Sequence, residues 1–278
     1  MEQQSVRFGL SVATLGDFGD PRFVIRLAQQ AEAAGWEALF VWDHLAYVWG
    51  VPAGDPWVIL SAVAASTRRL LIGTAVTPLP RRRLQVLAQT LVTLDLLCDG
   101  RLILGVGLGG VGEEYAAFGE PADPSVRASM LDEGLPVLDR LLRGETVSHA
   151  GQHYTLQGVN LQPRPQQEPR PPIWVGGESG PALRRAARYD GWVFGADDES
   201  AANVKSPEQV GQLVSRLRQR CTEGGPFAVA MTAVSAPDDG DLVARYAAAG
   251  VTWWLESIHG LRGSPEEMEA RVDAGPPH

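Results

Sequence analysis

Residues 40–50 read FVWDHLAYVWG, and Asp43 and His44 close the apolar run Ala38-Leu39-Phe40-Val41-Trp42 with no turn residue between. An imidazole titrates near neutral pH, so His44 is a candidate for proton transfer. Asp43 could orient it or raise its pKa, although adjacent residues of a strand point to opposite faces. The competing reading is a loop that happens to hold two polar residues. A second candidate is IWVGGESGPALRRAARYDGW, 173–192. Gly176 and Gly177 would let backbone approach a ligand, and a helix starting near Pro181 offers free N–H groups and a positive dipole end. Glu178 has the wrong charge for an anion, so main-chain donors, Ser179 and Arg184 would hold a phosphate there. The glycines could equally do no more than turn the chain.

Two further patterns carry less. GVGLGG, 105–110, matches the spacing of a dinucleotide fingerprint, but that fingerprint opens a helix directly. Here Val111, Gly112 and the pair Glu113–Glu114 intervene. His149 and His153 are four apart, as two metal ligands on a helix would be. Gly151 and the hairpin pattern SHAGQHYTL argue against a helix and in favour of a solvated loop, and no third ligand is near in sequence.

The elements that must position these residues alternate regularly. Apolar strands are expected at 6–12, 38–43, 70–78, 101–107, 172–177, 191–196, 227–233 and 252–258. Helices are expected at 21–34, 55–67, after 78, at 125–143, 180–189, 206–220, 240–249 and 264–272. The strands are short and seldom alternate in polarity, as parallel strands buried on both faces should be. Such alternation predicts a (β/α)8 barrel over 1–278 as one domain, broken by an insertion at 144–171 between strands four and five. Barrel enzymes build their sites at the carboxyl ends of the strands. There Asp43, His44, Thr74, Thr77, Glu113, Glu114, the 176–180 segment, Glu256, Ser257 and His259 would converge, with Tyr47 and Trp49 at the rim.

The composition suits such a fold: 278 residues, 45% hydrophobic and 21% charged. A net charge of −9 argues against binding nucleic acid or anionic membranes. The basic residues are almost all arginine, with Lys205 the only lysine, which is a bias of composition because no arginine-rich tract has nucleic-acid-binding spacing. No signal peptide or membrane-spanning run is evident, so a cytoplasmic protein is expected. Cys98 and Cys221 lack motif context, which predicts no structural disulfide.

The segments FVWDHL, IGTAVTPLPRRR, LVTLDLLCDGRLILGVGLGGVGEEYAAFG and PRPPIWVGGESGPALRRAARYDGW, in this order, resemble the bacterial-luciferase-like oxidoreductases. The resemblance spans residues 6 to about 195. It implies a barrel whose cofactor, coenzyme F420 or FMN, lies across the carboxyl ends of the strands. It implies a non-proline cis peptide at Ala75–Val76, beside Thr74, as a bulge that supports the ring. The cofactor phosphate would rest against Gly107, Leu108 and Gly109 and against Gly176, Gly177, Glu178 and Ser179. Asp43 and His44 match an Asp-His pair in which the histidine is the acid or base. Deazaflavin sugar dehydrogenases carry a catalytic glutamate directly after the glycine motif; Gly110 occupies that register here, and Glu113 follows three residues later.

The function expected is therefore hydride transfer or monooxygenation of a small organic substrate, with the Asp-His pair favouring the deazaflavin. A homodimer is the largest assembly expected. A non-catalytic flavin-binding barrel and a phosphate-binding isomerase or lyase without a redox cofactor remain as alternatives.

Overall fold

The computed structural model describes residues 6–45, 50–195, 202–221 and 227–278. Tyr47 and Trp49, expected at the rim, lie outside the described residues. The chain folds as a (β/α)8 barrel. Its staves are β1 (Arg7–Val12), β2 (Ala38–Val41), β3 (Leu71–Thr74), β5 (Leu102–Gly107), β8 (Ile173–Gly176), β9 (Gly191–Gly195), β10 (Ala228–Ala233) and β11 (Trp253–Ile258). All pair in parallel, and the β3–β5 pairing closes the ring. Between β3 and β5 the two-residue β4 (Thr77–Pro78) pairs with β5 alone.

The expected third strand is thus split. Gly73 faces Ile103, while Thr77 faces Val106, so three residues on one side oppose two on the other. That one-residue excess is a β-bulge. The peptide Ala75–Val76 within it is cis, at the position expected from the family resemblance.

The major helices of the ring are α1 (Pro21–Ala33), α2 (Pro56–Ser66), α3 (Leu84–Leu97), α5 (Pro124–Leu142), α6 (Gly180–Ala186), α7 (Pro207–Arg218), α8 (Gly240–Ala248) and α9 (Pro265–Asp273). Five begin with an Asp-Pro or Ser-Pro step, and each of those caps accepts a backbone N–H of the first turn. Proline belongs at that first position because its missing donor would have had no partner. Replacing such a cap by alanine typically costs about 1 kcal/mol.

Two apolar layers result. The larger lies between strands and helices, and the smaller fills the barrel with Ala38, Phe40, Ile103, Trp174, Val193, Ala230, Trp253 and Leu255. Phe40 stacks on Trp174 at 5.1 Å, and Trp174 meets Trp253 at 5.6 Å. The Arg7 guanidinium lies 4.1 Å over Trp253 and pairs with Glu37, covering this aromatic stack at the amino-terminal end of the strands.

The segment expected as an insertion holds an antiparallel hairpin, β6 (Val147–Ala150) and β7 (Thr155–Val159). His149 and His153 are not a solvated loop. Glu133 of α5 accepts from His149 Nε2 (2.9 Å) and from the backbone N–H groups of Gln152, His153 and Tyr154. His153 Nε2 lies 3.0 Å from Ser129 Oγ. Both histidines fasten the hairpin to α5.

Candidate functional site

Alternation along β2 decides which way each polar residue at its end faces. Ala38 and Phe40 point into the barrel, so Trp42 and His44 continue on the inner side and Asp43 falls on the outer. The ladder persists past the strand, with Trp42 N–H donating to Val12 O at 3.0 Å. Trp42 Nε1 donates to Ser11 Oγ (3.2 Å), and its ring lies 5.9 Å from that of His44.

Asp43 is 2% exposed and enclosed by two guanidinium groups. Arg81 Nη2 donates to its Oδ1 (2.7 Å) and to its backbone carbonyl (2.6 Å), and Arg82 Nη2 donates to both carboxylate oxygens. The carboxylate that meets His44 belongs to Glu114. His44 Nδ1 lies 3.2 Å from each Glu114 oxygen, while Leu45 N–H and Arg81 Nη1 each donate to Glu114 at 2.7 Å. An ionised carboxylate only accepts, so Nδ1 is the protonated ring nitrogen. Burial opposes the charge of Arg81, but Asp43 and Glu114 outweigh it and raise its pKa.

Glu113 and Glu114 belong to a four-residue helix, α4 (Glu113–Ala116), that sequence patterning does not reveal. Glu114 is 1% exposed, whereas Glu113 is exposed at the helix start. So the structure joins His44 to Glu114 and Asp43 to Arg81 and Arg82. The arginines were legible only as the RRR run following strand three.

At the bulge, the Thr74 hydroxyl donates to Gly105 O (2.7 Å), and thus serves the sheet. A Cβ on Gly107 would stand 2.7 Å from Val76 Cγ2, and one on Gly176 would stand 2.9 Å from Val76 Cγ1. These two glycines make room for the Val76 methyl groups. That revises the reason for their presence: packing against the bulge accounts for them before any ligand does. Ala75 and Val76 pack on the inner apolar layer. Among the described residues, the buried Thr77 Oγ1 has no hydrogen-bond partner.

Beyond β5, Tyr115 OH donates to Leu108 O (2.8 Å) and Arg127 Nη1 donates to Gly109 O (2.7 Å). Gly109 has φ +80°, which favours glycine, and a Cβ on Gly110 would meet nothing within 4 Å. Beyond β8, Gly177 has φ +106° and its carbonyl accepts Trp192 Nε1 (2.7 Å). Ser179 caps α6, accepting from Ala182 N–H. Glu178 pairs with Lys205 Nζ at 3.2 Å, and Lys205 also donates to Gly195 O. That pair offsets the negative charge that made this turn unsuitable for an anion. Nothing in the sequence neighbourhood of Lys205 points to the turn after β8.

The polar end of β11 divides the same way as β2. Glu256 is fully buried on the outer side, bonded by Ser235, Trp254 Nε1 and Arg262, with Arg271 at 3.4 Å. It is thereby removed from the inner rim. His259 is 8% exposed, its ring 6.5 Å from that of Trp42.

The open backbone at Gly110, the turn at Gly177 and the neutralised Glu178 fit a phosphate-bearing cofactor; the inner faces of Gly107 and Gly176 do not supply a vacant cradle. Comparisons with known proteins agree with this frame. The family described as luciferase-like monooxygenase matches residues 5–274. An F420-dependent glucose-6-phosphate dehydrogenase of Microbacterium testaceum is 35% identical over 188 residues, 66% of this chain and 54% of that one. Among solved structures, the coenzyme F420-dependent tetrahydromethanopterin reductase of Methanopyrus kandleri aligns with TM-score 0.78 and 17% identity, covering 97% of each chain. The oxygenating constituent of 3,6-diketocamphane monooxygenase from Pseudomonas putida, in complex with FMN, aligns with TM-score 0.75 and 15% identity, covering 97% of this chain and 96% of that one.

Proposed function

The chain belongs to the luciferase-like monooxygenase family, and from that membership we propose that it is an oxidoreductase using reduced coenzyme F420 or FMN on a small organic substrate. The observation that carries this reading is the His44–Glu114 pair at the inner end of β2. Glu114 holds Nδ1, which fixes the ring plane and assigns proton exchange to Nε2. Arg81 ties Glu114 to Asp43, so Asp43 is a positioning residue for the same pair. Glu113, further out on α4, is not assigned the acid role.

In the deazaflavin case the cofactor would exchange hydride with the substrate, giving it when reduced and taking it when oxidised; reduced FMN with oxygen would supply oxygenation. Ala75 and Val76 would back its ring, with Thr74 bracing the bulge. Leu108, Gly109 and the turn Gly177–Glu178–Ser179 would hold the phosphate through main-chain donors, aided by Lys205. The proton site favours the deazaflavin, since hydride transfer to a carbonyl or from an alcohol needs a proton moved alongside. Exposed Val58 on α2 and Val86, Leu96 and Leu97 on α3 support a homodimer through these helices.

Fluorescence titration of the purified protein with FMN and with F420 tests the cofactor, and His44→Ala tests the proton role. The variant should keep cofactor affinity within about twofold and lose turnover by about 10²–10⁴-fold. Unchanged turnover would remove His44 from the mechanism, and binding of neither cofactor would remove the redox reading.

A further inference from the structure

Outside the barrel mouth, a cavity of about 460 Å³ is lined by Asp132, Pro181, Arg184, Arg185, Arg188 and Arg220. Four guanidinium groups around one carboxylate are unusual in a protein of net charge −9. The carboxylate is already committed: Arg185 Nε and Nη2 donate to the two oxygens of Asp132 at 2.5 and 2.9 Å. Arg184, Arg188 and Arg220 have no carboxylate in ion-pair contact among the described residues. Arg220 is steadied by donating to Arg216 O. Arg184 bends back toward the start of α6, its Nη1 3.7 Å from where a Cβ on Gly180 would be.

Guanidinium groups present planar, paired donors that match phosphate and carboxylate oxygens. The three uncommitted ones come from α6, the turn after it and the end of α7, so one anion touching all of them must be extended or multiply charged. We propose that Arg184, Arg188 and Arg220 form a binding site for a small polyanion carrying two or more phosphate or carboxylate groups. The bidentate Arg185–Asp132 pair is the fixed wall of this site. The polyanion is either a free molecule or the charged end of one seated at the mouth. Only the second source rests on the function proposed above.

The test is calorimetric titration of the full chain with inorganic tripolyphosphate, with orthophosphate as comparison. The wild type should prefer tripolyphosphate at least tenfold. The double variant R188Q/R220Q, and separately R220E, should each weaken tripolyphosphate at least tenfold while keeping the wild-type circular dichroism spectrum. No binding by the wild type, equal affinity for the two anions, or affinity unchanged in both folded variants overturns the proposal. Loss of tripolyphosphate binding on saturation with F420 or FMN identifies the charged end of the mouth ligand as the occupant. Independent binding identifies a free anion. Arginine-dependent tripolyphosphate binding by a protein that takes up neither cofactor supports the site and refutes the cofactor reading.

Discussion

Adding one methyl group at Gly107 should destabilise the protein, and removing two from Val76 should cancel the effect. The new Cβ of Gly107→Ala would lie 2.7 Å from Val76 Cγ2. Carbon–carbon contacts sit at roughly 3.5–4.0 Å, so the overlap is about 0.8 Å at least. Val76 cannot yield freely, because its other methyl occupies the space left by Gly176. Overpacking of this kind costs about 2 kcal/mol, within the usual 1–3. For a chain of this size that corresponds to a fall in Tm of roughly 4–8 °C. Val76→Ala alone should cost about 1 kcal/mol for lost packing. In that background Gly107→Ala should cost nothing further, giving a coupling energy of about 2 kcal/mol. Thermal and urea unfolding of the four proteins, followed by circular dichroism, supplies the cycle. Equal destabilisation by Gly107→Ala in both backgrounds would refute the packing argument. If the glycine instead served a ligand, Val76→Ala would rescue neither stability nor cofactor affinity.

Glu114→Gln should lower turnover and cost about 2 kcal/mol of stability, since an amide cannot accept from all three donors as the carboxylate does. Glu113→Gln, on the exposed side of α4, should change stability by less than about 0.5 kcal/mol; equal effects from the two variants in activity and denaturation assays would undo the assignment. At the hairpin, burial opposes ionisation of Glu133, but His149 and three backbone N–H groups outweigh it and hold its pKa at about 2, against an ordinary 4.5. A depressed folded-state value means the latch is fully present above pH 4.5 and is lost as pH falls toward 2. Hydrogen exchange of amides 147–159 should accelerate across that window, and Glu133→Gln should show faster exchange already at neutral pH. Protection that is indifferent to both would show that the hairpin is held by other contacts.

The barrel was legible because its strands are buried on both faces and therefore read as unbroken apolar runs between amphipathic helices. The helix starts expected at 55 and 125 fall within a residue of the observed Pro56 and Pro124, which follow the caps Asp55 and Asp123. The split of strand three was not readable as periodicity, since a single extra residue at 75–76 leaves the run LLIGTAVTP continuously apolar; it came from resemblance. Partners at the site were harder still. Choosing between Glu113 and Glu114 requires the rotation of α4, and four residues offer no periodicity from which to read it. Asp43 beside His44 invited a pairing in sequence that the strand geometry forbids, while Arg81, thirty-eight residues away, supplies the contact that matters. The bond from Lys205 to Gly195 O and its ion pair with Glu178 join the ends of the neighbouring staves β8 and β9, a proximity that the parallel pairing of those two strands creates.

The aromatic stack of Phe40, Trp174 and Trp253, covered by Arg7, stops the barrel at one end. Two molecules that react over this filled core, at the carboxyl-terminal mouth, would share a single doorway. Whichever lies deeper must arrive first and depart last, because the other blocks its path. Steady-state kinetics should then follow a compulsory order, with an analogue of the outer reactant slowing escape of the inner one. Trp174→Ala, by hollowing the floor, would be a way to ask whether that order comes from the shape of the barrel itself.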